Sequence, residues 1–246
     1  MGYYAKLKGV YRAMVPAPLR RLTWDRRYPF HRALDPVKLL LQRHAPHDEV
    51  YDRSYYQETV EPEIRRSASL MARSIRDELG PRRVVDVGCG TGELLLALRE
   101  LGIDGSGLER SRAAIEIARA KGLEIEAFDL EGPPGGLPER RGDLVISTEV
   151  AEHLTEPFAD PYVDYLCRCG DLALITAATP GQGGTDHVNE QPNAYWIAKF
   201  EARGWRPLED LTRRLRREWS AAGVASFYSA NLLLFRGPAA GDAAPR

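Results

Sequence analysis

The stretch Val84–Leu96, VVDVGCGTGELLL, constrains this chain more than any other. A β-branched run carries Asp86, glycines stand at 88, 90 and 92, and a leucine-rich segment follows at once. The pattern predicts a strand, a tight turn and a helix start. Glycine adopts left-handed backbone freely and lets a ligand come close to the main chain. The spacing is G-x-G-x-G, not the G-x-G-x-x-G of dinucleotide binders. No Gly-Lys-Ser/Thr follows, which argues against a phosphate-gripping P-loop.

Downstream, β-like and helix-like segments alternate. Strands are expected at about 83–88, 104–109, 125–130, 144–148 and 172–177, with a short one at 205–208 and a last one at 227–235. Helices are expected at about 62–79, 92–101, from Ser111 to Lys121, at 160–169, 193–203 and up to 222. Repeated βα units imply a mostly parallel sheet covered on both faces, with ligands beyond the carboxyl ends of the strands near strand 1.

Three groups of residues at strand ends carry chemistry. Glu109 ends the second strand, 17 residues after Gly92. A carboxylate there can accept both hydroxyls of a ribose, which points to an adenosine-containing ligand. Asp129 ends the third strand, flanked by Phe128 and Leu130. After the fourth strand comes Glu149-x-x-Glu152-His153, two carboxylates and an imidazole at the i, i+3, i+4 spacing of one helix face. His187, after the fifth strand, is placed to join them. Such a set can hold a divalent cation. Carboxylates favour Mg²⁺ or Mn²⁺, and imidazole shifts the preference toward transition metals. The same histidines, His187 and His153, are candidate general bases, with no metal needed.

The glycine turn resembles the first motif of class I S-adenosylmethionine-dependent methyltransferases. The resemblance implies a seven-stranded α/β doubly wound Rossmann-like sheet of order 3-2-1-4-5-7-6 with strand 7 antiparallel. It places the methionine part of the cofactor at Asp86, Gly88, Cys89, Gly90 and Gly92 and the ribose at Glu109. The adenine falls at Asp129 with Phe128 or Leu130, and Arg110, Thr148, Glu149 and Tyr56 complete the cofactor site. Glu149, Glu152, His153 and His187 resemble two branches of this superfamily: the ubiquinone-biosynthesis O-methyltransferases, and the small-RNA 2′-O-methyltransferases, in which two Glu and two His hold Mg²⁺. The implied reaction is methyl transfer to a hydroxyl of a small molecule, a sugar or secondary metabolite. RNA 2′-O-methylation and a non-catalytic cofactor-binding domain are the alternatives.

Composition narrows the partners. The chain has 246 residues, 43% of them hydrophobic, enough for one large domain with an N-terminal extension. That extension, residues 1–60, holds ten Lys/Arg against two Asp/Glu within residues 1–47, leaving the remainder acidic although the net charge is −1. An acidic core disfavours nucleic acid. The basic arm either packs its apolar side on the domain or contacts an anionic surface such as a membrane. Tyr55 or Tyr56 either lines the site or packs under the next helix. A methyltransferase domain is expected over 61–236 and a disordered tail over 237–246. No secretory signal or membrane span is evident, and Cys89, Cys167 and Cys169 form no disulfide or zinc framework, which fits a cytoplasmic protein.

Overall fold

The computed structural model describes Arg53, Tyr56 and residues 61–132, 138–184 and 186–238. They belong to the second of the two units into which the chain divides, residues 53–246. The basic arm, Tyr55, part of the loop after the third strand and the tail from 239 lie outside the described residues.

The described chain begins with α1 (Glu61–Leu79), followed by β1 (Arg83–Val87), α2 (Glu93–Glu100), β2 (Asp104–Glu109), α3 (Arg112–Ala120) and β3 (Glu124–Ala127). Next are β4 (Leu144–Thr148), two 3₁₀ turns (Ala151–His153 and Glu156–Phe158), α4 (Ala159–Cys169) and β5 (Leu172–Thr176). The chain continues through α5 (Asn193–Glu201), β6 (Arg206–Pro207), α6 (Glu209–Ala222), α7 (Ser226–Asn231) and β7 (Leu233–Arg236). The seven strands form one sheet, ordered β3-β2-β1-β4-β5-β7-β6. β7 runs antiparallel to β5 and β6, and the remaining pairs are parallel. The expected fold class is the observed one.

Period-two alternation divides the core. Val84, Leu144, Ile146, Leu174 and Leu234 face Met71 and Ile75 of α1, Leu98 of α2 and Trp219 of α6. Val85, Val145, Ala173, Ile175 and Phe235 face Tyr162 and Leu166 of α4 and Trp196 and Phe200 of α5. Both faces of the central strands are apolar because helices cover both. The helix ends follow local chemistry. Ser111 caps α3 by accepting the N–H of Ala114 at 3.4 Å. Gly223, at φ 84°, closes α6.

Three expectations need correction. β3 stops at Ala127, so Asp129 lies beyond the strand rather than at its end. Residues 226–231 are helical, not the start of the last strand. β7 pairs with β5 only from Leu233 to Arg236, so the preceding backbone has no strand partner and bonds within a helix instead. Glu149 does not share a helix with Glu152 and His153. Its N–H donates to the Thr176 carbonyl at 3.0 Å, extending the β4–β5 pairing, and its φ is 55°. The 3₁₀ turn begins only at Ala151.

Candidate active site

The glycine turn joins β1 to α2, and its three glycines do different work. A Cβ on Gly88 would stand 2.3 Å from Cγ2 of Val150, and one on Gly92 2.3 Å from Cδ1 of Leu123. Those two positions are glycine because neighbouring side chains already occupy the space. Gly90, at φ 54°, would meet nothing within 4 Å, so its main chain faces open space. Lys121 holds the turn from the other side, donating to the Thr91 carbonyl at 2.9 Å and to Glu93 at 2.8 Å. Cys89 is accommodated by Gly107 of β2, where a Cβ would lie 2.5 Å from Sγ. Burial pushes the Cys89 thiol well above its usual range, so it is no thiolate nucleophile.

Two carboxylates flank the turn. Asp86 is 2% exposed and its Oδ1 has no hydrogen-bond partner. Burial, with the charge of Glu109 adding, pushes its carboxyl up to about 7. A buried carboxylate oxygen without a donor is suited to a cationic group, and an ammonium would meet that need. Glu109 accepts the N–H groups of Gly90 at 2.8 Å, Arg110 at 2.9 Å and Ser111 at 2.7 Å. Burial raises its carboxyl and these three bonds oppose that rise. A carboxylate has about four acceptor sites, so roughly one remains for a ribose hydroxyl. The expected contact with both hydroxyls would displace a backbone amide.

The second group lies at the ends of β4 and β5. Single ligand atoms of Glu152, His153 and His187 can be chosen that all lie within 4.8 Å of one another. Glu149 lies outside that group of three. Glu152 is fully buried and neither of its carboxyl oxygens has a hydrogen-bond partner. Burial, and then the neighbouring Glu149, raise its carboxyl well above the usual range. Glu149 is raised too, by burial, although Thr176 and Gln182 offer it hydrogen bonds. His187 Nε2 lies 4.0 Å from Glu152 Oε1 and its Nδ1 lies 2.9 Å from Glu190 Oε1. The His153 and His187 rings meet edge to face at 5.0 Å. The Glu152 carbonyl accepts the N–H groups of Val188 at 2.9 Å and Asn189 at 3.0 Å, so the loop after β5 is tied to the turn after β4.

The two groups are contiguous. Val150, against which Gly88 packs, stands between Glu149 and the 3₁₀ turn that carries Glu152 and His153. Burial raises the Tyr162 phenol, and the charges of both Glu152 and Asp86 act on it.

The other expected residues divide. Thr148 ends β4 beside Thr176. Arg110 forms an ion pair with Asp129 at 3.4 Å, with both side chains nearly half exposed. Leu130 packs against the core, and Phe128 stacks on Tyr165 at 4.9 Å. Tyr56 is buried. Trp196 of α5 is fully buried in the core. Glu190, not among the expected site residues, pairs with His187 at a spacing of i, i+3 that by itself marks no site.

Sheet order and glycine turn are those of the class I S-adenosylmethionine-dependent methyltransferase fold. Within it, the family described as "Methionine biosynthesis protein MetW" matches residues 65–183. A ubiquinone biosynthesis O-methyltransferase of Cereibacter sphaeroides is 28% identical over 130 residues, 50% of this chain and 51% of that one. Its counterpart in Roseobacter denitrificans is 31% identical over 120 residues, 47% and 45% of the two chains. The chain thus spans about half the length of these curated relatives. Among solved structures, magnesium protoporphyrin IX methyltransferase from Synechocystis PCC 6803, with bound SAH, superimposes with a TM-score of 0.53 at 18% identity, covering 73% of this chain and 88% of that one. The sugar N-methyltransferase KedS8 from Streptoalloteichus does so with a TM-score of 0.52 at 18% identity, covering 70% and 86%. These two likenesses support the fold. The resemblance to small-RNA 2′-O-methyltransferases finds no support among these relatives. Among the described residues, no helix is long and apolar enough to cross a membrane.

Proposed function

We propose that the protein transfers the methyl group of S-adenosylmethionine to a hydroxyl oxygen of a small molecule, a sugar or secondary metabolite, with His187 as general base. The observation that carries this reading is the contact of the glycine turn with the Glu152–His153–His187 group through Gly88 and Val150. A donor bound at the turn would present its methyl group toward an imidazole.

The donor supplies an already activated methyl group on a sulfonium. The protein's part is to orient, to exclude water and to take a proton. In this reading the unpartnered Asp86 Oδ1 receives the donor's ammonium, Glu109 receives a ribose hydroxyl, and Asp129 and Leu130 border the adenine. His187 Nε2 takes the proton of the acceptor hydroxyl. Glu152 and His153 shape the pocket beside it. The O-methylating relatives favour oxygen as the acceptor atom, while the MetW description names methionine biosynthesis, a link carried by that family and not by this site.

A second reading rests on the same three side chains. Two imidazoles and a carboxylate form a donor set suited to Mn²⁺, Co²⁺ or Zn²⁺ as well as Mg²⁺, and the two unpartnered oxygens of Glu152 fit that use. A cation there would lower the pKa of the acceptor hydroxyl.

Calorimetry with S-adenosylmethionine and S-adenosylhomocysteine tests the donor site, and binding of neither would end both readings. Turnover on a panel of sugar and phenolic hydroxyls, scored by S-adenosylhomocysteine release, tests the chemistry. Donor binding without turnover on any acceptor, in an otherwise intact protein, would favour a non-catalytic cofactor-binding domain.

A further inference from the structure

The loop after β5 folds back on the carboxylate of Glu190. Its Oε2 accepts the N–H of Gly181 at 2.8 Å, and its Oε1 accepts the N–H of Gly183 at 2.6 Å. Oε1 also lies 2.9 Å from Nδ1 of His187. With two backbone N–H groups donating to it, this carboxylate is an acceptor that offers no proton to the ring. Nδ1 must therefore carry a proton, and in the neutral ring Nε2 keeps the lone pair.

The rest of the pocket aims that ring. A Cβ on Gly184 would lie 2.1 Å from Nε2 of His187, so the imidazole occupies space that only a glycine leaves open. Val188 and Asn189, the next two residues, are fixed to the Glu152 carbonyl. The His153 ring supports the imidazole edge to face. Nε2 then points into the group at the end of β4, toward Glu152 Oε1 at 4.0 Å.

We infer that Glu190 is the positioning residue of the reaction: it fixes the Nδ1–H tautomer of His187 and turns the Nε2 lone pair toward the acceptor hydroxyl. The inference rests on His187 acting as the base. In the step, the acceptor oxygen's electron pair forms the new O–CH₃ bond and the S–CH₃ pair stays on sulfur. The hydroxyl proton passes to Nε2, and Glu190 faces the imidazolium so formed. The products are the methyl ether, S-adenosylhomocysteine and protonated His187. A carboxylate, a histidine and a substrate oxygen in this order form the arrangement by which an acid orients a base without taking its proton. The sequence shows it only as His187-x-x-Glu190, where a solvated pair is the ordinary expectation.

The test uses the full chain. ¹⁵N-histidine NMR of the wild type is expected to show His187 as the Nδ1–H tautomer, and an Nε2–H signal would overturn the inference without any variant. Glu190→Gln, which puts an amide donor among groups that need an acceptor, and Glu190→Ala are each expected to lower kcat by about 10–100-fold. The donor's KM should hold within about twofold, because no cofactor-binding residue has changed. A merely structural Glu190 would instead lower the melting temperature and leave both the tautomer signal and kcat per folded molecule unchanged. His187→Ala separates the two levels. Loss of turnover in His187→Ala with full turnover in both Glu190 variants would sink the role of Glu190 alone. Full turnover in His187→Ala would sink the base reading on which it rests.

Discussion

Glu109, at the end of β2, accepts the backbone N–H of Gly90 at 2.8 Å, so one carboxylate sets the position of the turn in the neighbouring unit. The same side chain receives the amides of Arg110 and Ser111 at the start of α3. It therefore locks two loops together before any ligand arrives. Glu109→Ala strands three amides and removes the proposed ribose acceptor. The expected outcome is a fall in melting temperature together with at least a tenfold loss of S-adenosylhomocysteine affinity, since a hydrogen bond to a charged group is worth about 1.5–3 kcal/mol. Calorimetry showing unchanged affinity would remove Glu109 from the ribose site and leave it a purely structural clamp.

Asp86 gives a prediction with a definite sign in pH. Its carboxyl titrates near 3.8 when unperturbed and at about 7 in the folded protein. Folding thus favours the protonated form. No penalty exists below about pH 4; stability is lost as pH rises from there toward 7, and the loss levels off above 7, at a few kcal/mol in order of magnitude. Asp86→Asn is expected to melt higher than the wild type at pH 8 and to match it near pH 4, while binding S-adenosylmethionine more weakly. Because the donor's ammonium would draw out the charged carboxylate, binding below pH 7 should release a proton. Calorimetry at pH 6 in two buffers of different ionisation enthalpy reads that proton directly.

The three glycines of the turn should fail differently. Gly88→Ala and Gly92→Ala each drive a methyl group against a buried side chain, so thermal melts should show destabilisation of about 1–3 kcal/mol or more. Gly90→Ala meets no neighbour and bears only the left-handed φ, a cost of about 1–2 kcal/mol. It should fold, yet lose donor affinity because its methyl group fills the space in front of the main chain. Equal affinity in Gly90→Ala would move the donor away from the turn.

Chelation decides between the two uses of the Glu152–His153–His187 group. With His187 as base, turnover is expected to survive dialysis against a strong chelator and to fall about 100-fold or more in His187→Ala. Loss on chelation, restored by Mn²⁺, Co²⁺ or Zn²⁺, would replace the base with a bound cation.

The sheet was legible in the sequence because its signals are local. β4 and β5 are nearly continuous apolar runs, and β2 and β4 occupy the expected residues 104–109 and 144–148. The last strand was misjudged because Phe227 to Phe235 is mostly apolar, and only the length of β5 available for pairing tells where helix gives way to strand. The site was legible as residue types, not as geometry. Glu149, Glu152 and His153 read as one helix face, but a bond from Glu149 to Thr176, 27 residues away, turns the first of them out of that face. Glu190 was passed over for the opposite reason. Its partners Gly181, Gly183 and His187 are all nearby in sequence, but nothing in that spacing says that a loop will close around it.

Glu149 holds a left-handed backbone, at φ 55°, that asparagine or glycine would adopt at less cost. It also keeps a carboxyl oxygen buried without a partner. Neither property helps the chain fold. A substitution such as Glu149→Asn relieves both, so a search for thermostable variants should find position 149 early. Turnover of that stabilised variant then tells whether the strained carboxylate is kept for the reaction or is merely tolerated by a scaffold with stability to spare.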